Sequence, residues 1–266
     1  MIKNILDGYV FDKNRQNELF SYADPLQVAT KLKEPVSCLV CALFAYGNAK
    51  LIVKFLNSLE FSLLDETEKE ITKSITTHKY RFQNTKDVQN IFITLSRLKK
   101  DLDIEHTLKK GFQKGGMCYA INELIKEIYK LNPYKSDGYE FFFARPFDKE
   151  PSSPYKRYNM YLRWMVRDTD IDLGIFKSLD KSELLIPLDV HTHRVSLSLG
   201  LVKRKTYDFK AVLELTNKLR TFDKNDPIKY DFALYRIGQS GELENVISML
   251  NKQNFIDDLD KVAVLN

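Results

Sequence analysis

Apolar residues recur at three- and four-residue intervals along most of this chain, the spacing that gathers them on one face of a helix. Residues 85–102 set Val88, Ile91, Phe92, Leu95 and Leu98 in that pattern behind an Asn84-Thr85 start. Residues 117–131 repeat it with Cys118, Ile121, Leu124, Ile125 and Ile128, ending near Asn132-Pro133. Similar patterns cover 36–46, 48–59, 208–220 and 228–237. Asp24-Pro25 and Asp226-Pro227 each couple a helix-capping side chain to a proline suited to the first helical turn. No Asn-Gly hairpin turn, Ser/Gly linker or internal repeat intervenes. Residues 139–145, rich in aromatics, read as a short strand or a buried loop. The fold expected is all-α.

With 266 residues, 44% of them hydrophobic, the chain can bury one sizeable core or form two helical lobes around a cleft. We expect a single unit over 1–266, with one lobe near 35–165 and the other built from 1–34 plus 166–266. No apolar run approaches the ~20 residues that span a bilayer. Residues 1–7 lack the apolar stretch of a signal peptide and carry an early acid. A cytoplasmic protein with no membrane partner is therefore expected. Cys38 and Cys41 form a C-x-x-C inside the apolar run 36–45, where thiols pack as small hydrophobes, and Cys118 stands alone. No disulfide framework, structural zinc or iron–sulfur site is expected, and no cofactor.

Net charge is +5, and residues 151–220 carry all of it, with 13 Lys and Arg against 8 Asp and Glu. A local basic surplus is what a phosphate-backbone binder would show, although ordinary surface scatter gives the same count. Two segments there hold the chemistry. The breaker-rich loop 144–156 ends by opening a helix over 156–166, which puts Lys156 at its first position and leaves backbone N–H groups free for an anion. Ile186-Pro187-Leu188-Asp189 leads into a helix over 191–199 that Gly200 stops, making Asp189 an N-cap. A lysine and a carboxylate brought together could cleave a bond at an acetal carbon.

These residues carry a resemblance. Leu188-Asp189-Val190-His191-x-x-Arg194-Val195, followed by Leu199-Gly200-Leu201, resembles the V-D-T-H-x-x-R-V…L-G-L segment of helix-hairpin-helix DNA glycosylases. Lys156-x-x-Asn159-x-x-Leu162 is similar to the K-T-A-N-x-x-L that opens their second hairpin helix. The resemblance implies a helix-hairpin-helix glycosylase-like fold, with Lys156 as Schiff-base nucleophile and Asp189 as catalytic acid. Asn159, His191 and Arg194 fall at positions that are mainly structural in that superfamily, with Arg194 also able to reach DNA. Residues 43–48 resemble the segment that offers a wedge to the gap left by a flipped base, with Tyr46 and Asn48 as DNA contacts. The stretch 156–167, with Lys229-Tyr230-Asp231-Phe232-Ala233-Leu234, resembles an uncharacterised bacterial family with the same glycosylase-like features. The chain departs at Pro151-Ser152-Ser153-Pro154-Tyr155, where the superfamily has Leu-Pro-Gly-x-Gly, and in a longer separation between Lys156 and Asp189.

The function so implied is base-excision repair of damaged DNA, of an oxidised base, with lyase activity. The DNA contacts expected are Tyr46, Asn48, Arg157, Arg163, Arg167 and Arg194; the three arginines of 157–167 would serve equally to cover apolar surface with their stems. Trp164 reads as core. Two other readings stand beside this one. The first is a glycosylase-shaped nucleic-acid binder without catalysis. The second is a metal-dependent hydrolase on Asp189, His191 and His193, which helical geometry disfavours because residues two apart point in different directions. The sequence leaves the oligomeric state open.

Overall fold

The computed structural model describes residues 2–169 and 171–252, and among them every regular element is a helix or a 3-10 turn. The chain begins with α1 (Ile2–Lys13), α2 (Gln16–Ser21) and α3 (Leu26–Leu32). Asp24 accepts from the Leu26 amide at 2.9 Å and Pro25 takes φ −60°, so the Asp-Pro pair opens α3 as expected. Next come α4 (Pro35–Leu43), α5 (Ala49–Leu56) and α6 (Glu68–Ser74). Every residue of α4 from Val36 to Leu43 is buried, which makes it the central rod of the core. Cys38 and Cys41 lie inside it as free thiols, as the apolar run predicted.

Three longer helices follow. α7 (Thr85–Asp101) starts on a reciprocal capping box between Asn84 and Asp87. α8 (Ile104–Gly115) and α9 (Met117–Leu131) form a tight antiparallel hairpin. Gly111 sits where the two backbones touch: a Cβ there would lie 2.6 Å from the Tyr119 carbonyl oxygen. Residues 139–145 are neither strand nor loop. α10 (Asp137–Phe143) is capped by Ser136, whose Oγ accepts from the Tyr139 amide at 3.0 Å. It buries Tyr139, Phe142 and Phe143, three rings at helical spacing, and that one-sided burial overrides their strand preference.

α11 (Lys156–Val166) packs on α4, and Tyr161 donates to the Pro35 carbonyl at 3.1 Å. α12 (Val190–Ser198), α13 (Phe209–Arg220) and α14 (Asp231–Ser240) complete the named helices, and 243–252 is also helical. α12 lies against α14 where Gly238 faces Val195 and the His191 backbone. α14 in turn packs on α1, and Tyr230 donates to Asp7 at 2.8 Å, so the first helix closes onto the last named one. Residues from α11, from the segment before α3 and from the starts of α12 and α14 converge on one concavity.

Candidate active site

Lys156 owes its position to the backbone ahead of it. Tyr155 takes the left-handed conformation, φ +46° and ψ +36°, one that usually favours glycine, and so turns the chain into α11 without one. Its ring is buried and its hydroxyl donates to the Arg145 carbonyl at 3.2 Å, which holds this unusual residue in place. Asn159, 1% exposed, donates to the Pro154 carbonyl at 3.0 Å and fastens the loop to the first turn of the helix. That is the structural role expected of it. The Lys156 amine, half-buried, lies 3.5 Å from the Met160 sulfur, and among the described residues no carboxylate pairs with it within 4.0 Å.

Asp189 is the N-cap of α12. Its Oδ1 accepts from the Thr192 amide at 2.7 Å, and its extended backbone (φ −111°, ψ 176°) aims the carboxylate along the helix start. Two bonds fix the strand of chain leading to it. The Ile186 amide donates to Thr216 at 3.1 Å, and Tyr207 donates to the Leu188 carbonyl at 2.9 Å.

Lys156 and Asp189, 33 positions apart in sequence, line the same cleft of about 1030 Å³. Asp24, Trp164, Asp231 and Tyr235 also line it. Asp231 is buried, and its Oδ2 accepts from Arg163 Nη1 at 2.6 Å. Burial pushes its carboxyl up to about 6, against the pull of Arg163 and with a further push from Asp189. Burial also raises Asp24, opposed by the Leu26 amide and by Arg236, Arg163 and Lys156. The Tyr235 phenol is raised by burial and by the negative charge of Asp24, Asp189 and Asp231 together. The cleft thus brings one amine, three carboxylates and aromatic walls to a site broad enough for a nucleoside.

Several other expected contacts are placed elsewhere. Arg163 and Arg167 are 4% and 1% exposed. Arg163 binds Asp172 and Asp231, and Arg167 binds Asp172 and Asp226. Their expected role as phosphate contacts is corrected: both guanidiniums are spent on a buried ladder that ties α11 to the loop before α12 and to the start of α14. Asp226 consequently holds Arg167 rather than capping the turn at Pro227–Tyr230. Arg157 donates to the carbonyls of Leu43 and Phe141 and lies over the rings of Tyr46 and Phe141, so it staples α11 to two neighbours. Arg194 is exposed on α12 and does not line the cleft.

Tyr46 and Asn48 line the cleft. The Tyr46 hydroxyl is held by Gln83 and its ring packs among Tyr80, Phe82 and Phe141, while Asn48 caps α5 through Lys50 and Leu51. His191 is exposed and lines the cleft, but His193 is buried with Nε2 2.8 Å from the Arg204 carbonyl oxygen. The Asp189, His191 and His193 ligand set therefore does not assemble, and no other metal-holding cluster exists among the described residues. Trp164, 1% exposed, is core as expected, although one edge reaches the cleft.

Sequence reasoning missed Asp24, Asp231, Tyr207 and Tyr235. Asp24 stood in the Asp-Pro pair and was explained by capping alone. Asp231 lay in the stretch 229–234 already singled out for its resemblance. Tyr207 and Tyr235 carry no local signal that separates them from twelve other tyrosines. No curated protein and no solved structure gives a significant match to this chain. A family model described as a protein of unknown function (DUF2400) matches residues 24–240, and the chain belongs to that family.

Proposed function

We propose that this protein is a DNA glycosylase with lyase activity that removes an oxidised base. The observation that carries the reading is the convergence of Lys156 and Asp189, each at a helix N-terminus, on one cleft. A base inside a duplex is out of reach, so the nucleotide has to be flipped into the cleft at a cost of a few kcal/mol. Asp189 stabilises positive charge that develops on the sugar as the C1′–N bond lengthens. The neutral Lys156 amine bonds to C1′, the base departs with the electron pair of the broken bond, and the lysine proton passes through the neighbouring carboxylates to the leaving base. Opening of the sugar ring gives an imine; loss of a C2′ proton then expels the 3′ phosphate.

The lysine has to be neutral to attack. Its environment favours this, because the amine rests beside a thioether rather than in an ion pair. The proposed architecture is a helix-hairpin-helix glycosylase-like pair of lobes, 35–165 against 1–34 plus 166–266. Support comes from the cleft itself, which draws Asp24, Lys156 and Asp189 from those three stretches. The left-handed Tyr155 offers a turn without the glycines usual in the hairpin. DNA is the partner proposed, with contacts from Tyr46, Asn48, the exposed Arg194 and the N-terminal amides of α11 and α12. Among the described residues no helix is long and apolar enough to cross a membrane.

Sodium borohydride added during reaction with duplexes carrying oxidised bases or abasic sites tests the reading. A covalent protein–DNA adduct that disappears in Lys156→Gln is expected. An adduct that persists undiminished in Lys156→Gln rejects it.

A further inference from the structure

Asp24 is the best-prepared group in the cleft that catalysis does not use. It is 8% exposed, its Oδ1 accepts from the Leu26 amide, and among the described residues its Oδ2 has no hydrogen-bond partner and no cation within 4.0 Å. The cations nearest in charge are committed elsewhere: Arg163 to Asp172 and Asp231, Arg236 to Gln239 and the Glu18 carbonyl. The turn that carries it is rigid. Gln27 donates to the carbonyls of Leu19 and Tyr22, both at 2.7 Å, and Pro25 follows directly. A buried carboxylate oxygen without a donor is costly, so such an oxygen facing a cleft is a place for a ligand's N–H or O–H.

The chemistry of DNA narrows that ligand. Deoxyribose and phosphodiester groups within a strand offer acceptors only, so every hydrogen-bond donor in intact DNA sits on a base. An ionised carboxylate accepts and never donates. A guanine-type edge presents a ring N–H beside an exocyclic amino group, two adjacent donors that match one carboxylate. Thymine and uracil flank their single N–H with carbonyls that the carboxylate repels. Adenine and cytosine set a ring acceptor beside the amino group.

The geometry points to Asp24 as the residue that reads the flipped base, selecting a guanine-type edge, as in oxidised guanine, between the walls of Trp164, Phe232 and Tyr235. This inference rests on the glycosylase reading of the same cleft. Asp24→Asn keeps an oxygen to cap α3 and replaces the second acceptor with a donor. The test measures base release from duplexes carrying 8-oxoguanine or uracil, and borohydride trapping on a preformed abasic site, for wild type and Asp24→Asn. The expected result is release of 8-oxoguanine over uracil by wild type, and a fall of at least about 100-fold in the ratio of 8-oxoguanine release to abasic trapping in the variant. Equal losses on both substrates would mark Asp24 as a support of the fold and overturn the proposal, as would an unchanged ratio or a wild-type preference for uracil. Binding in the Lys156→Gln background separates the two readings. Preference for the 8-oxoguanine duplex that Asp24→Asn abolishes keeps base reading even if Lys156 chemistry fails; no such preference overturns it.

Discussion

Arg163 Nη1 holds Asp231 Oδ2 at 2.6 Å directly beneath the cleft, and the same guanidinium reaches Asp172 at 3.1 Å. The pair joins the helix that carries Lys156 to the helix that backs Asp189. A buried pair of this kind adds little net stability over an apolar replacement, yet losing one partner leaves an uncompensated charge. Arg163→Ala should therefore destabilise the fold by about 3–5 kcal/mol in chemical denaturation. A loss below 1 kcal/mol would show that the ladder does not brace the site.

Asp208 gives a pH signature of its own. Hydrogen bonding to Arg204, then the Ala211 amide, holds its carboxyl down to about 2, against an opposing push from burial. A depressed carboxylate stabilises the fold above its unfolded value near 4, and that contribution is lost as pH falls through about 2. The pair is partly exposed, so screening reduces its worth to about 1 kcal/mol. Asp208→Asn, which can still cap α13, should cost about that much at pH 7 and nothing at pH 2. Unfolding free energies at the two pH values check it.

The cysteines should behave as packing rather than chemistry. Burial pushes the Cys38 thiol up to about 12 and Cys41 well above its usual range, while Cys118 is half-exposed. A thiol titration of the native protein at pH 8 should count one fast-reacting group, rising to three in denaturant. Fast modification of all three in the folded state would contradict the burial of α4.

Gly111 reverses the usual propensity rule. Glycine inside a helix costs about 1 kcal/mol relative to alanine. Here, however, a Cβ would meet the α9 backbone at the Tyr119 oxygen and, at 2.7 Å, the Ala120 Cα. Gly111→Ala should destabilise by about 1–3 kcal/mol despite its better helix propensity. A stabilised variant would mean that the α8–α9 hairpin is looser than described.

Much of the scaffold was legible because local signals agree with it. Thr85–Asp101, Met117–Leu131 and Lys156–Val166 begin and end where periodicity and capping residues place them. Asp189 caps its helix, and Gly200 closes it at φ +68°. Residues 139–145 were misread because side-chain composition favours a strand, while burial of one face against the core decides for a helix. The arginines failed for a related reason. Nothing local in Arg163 or Arg167 distinguishes a phosphate ligand from a buried partner; that depends on Asp172, Asp226 and Asp231, up to 68 positions away. The joining of Lys156 and Asp189 was suggested by resemblance alone, since no periodicity relates two helix starts across an intervening loop.

Asp189→Asn should still cap α12, because asparagine is as good an N-cap as aspartate, so its thermal midpoint should stay close to wild type. Base release should fall by about 100-fold or more, since electrostatic stabilisation of the developing charge is lost. Single-turnover release alongside a melting curve separates these effects. A folded variant with undiminished release would remove Asp189 from the mechanism.

Peptide mapping of the borohydride-reduced adduct is the most direct measurement of the central claim. The predicted result is a nucleotide-derived mass on the peptide that contains Lys156 and on no other lysine. An adduct mapped to a different lysine, in a protein that still cleaves, would contradict the assignment of the nucleophile and with it the chemistry proposed for the cleft.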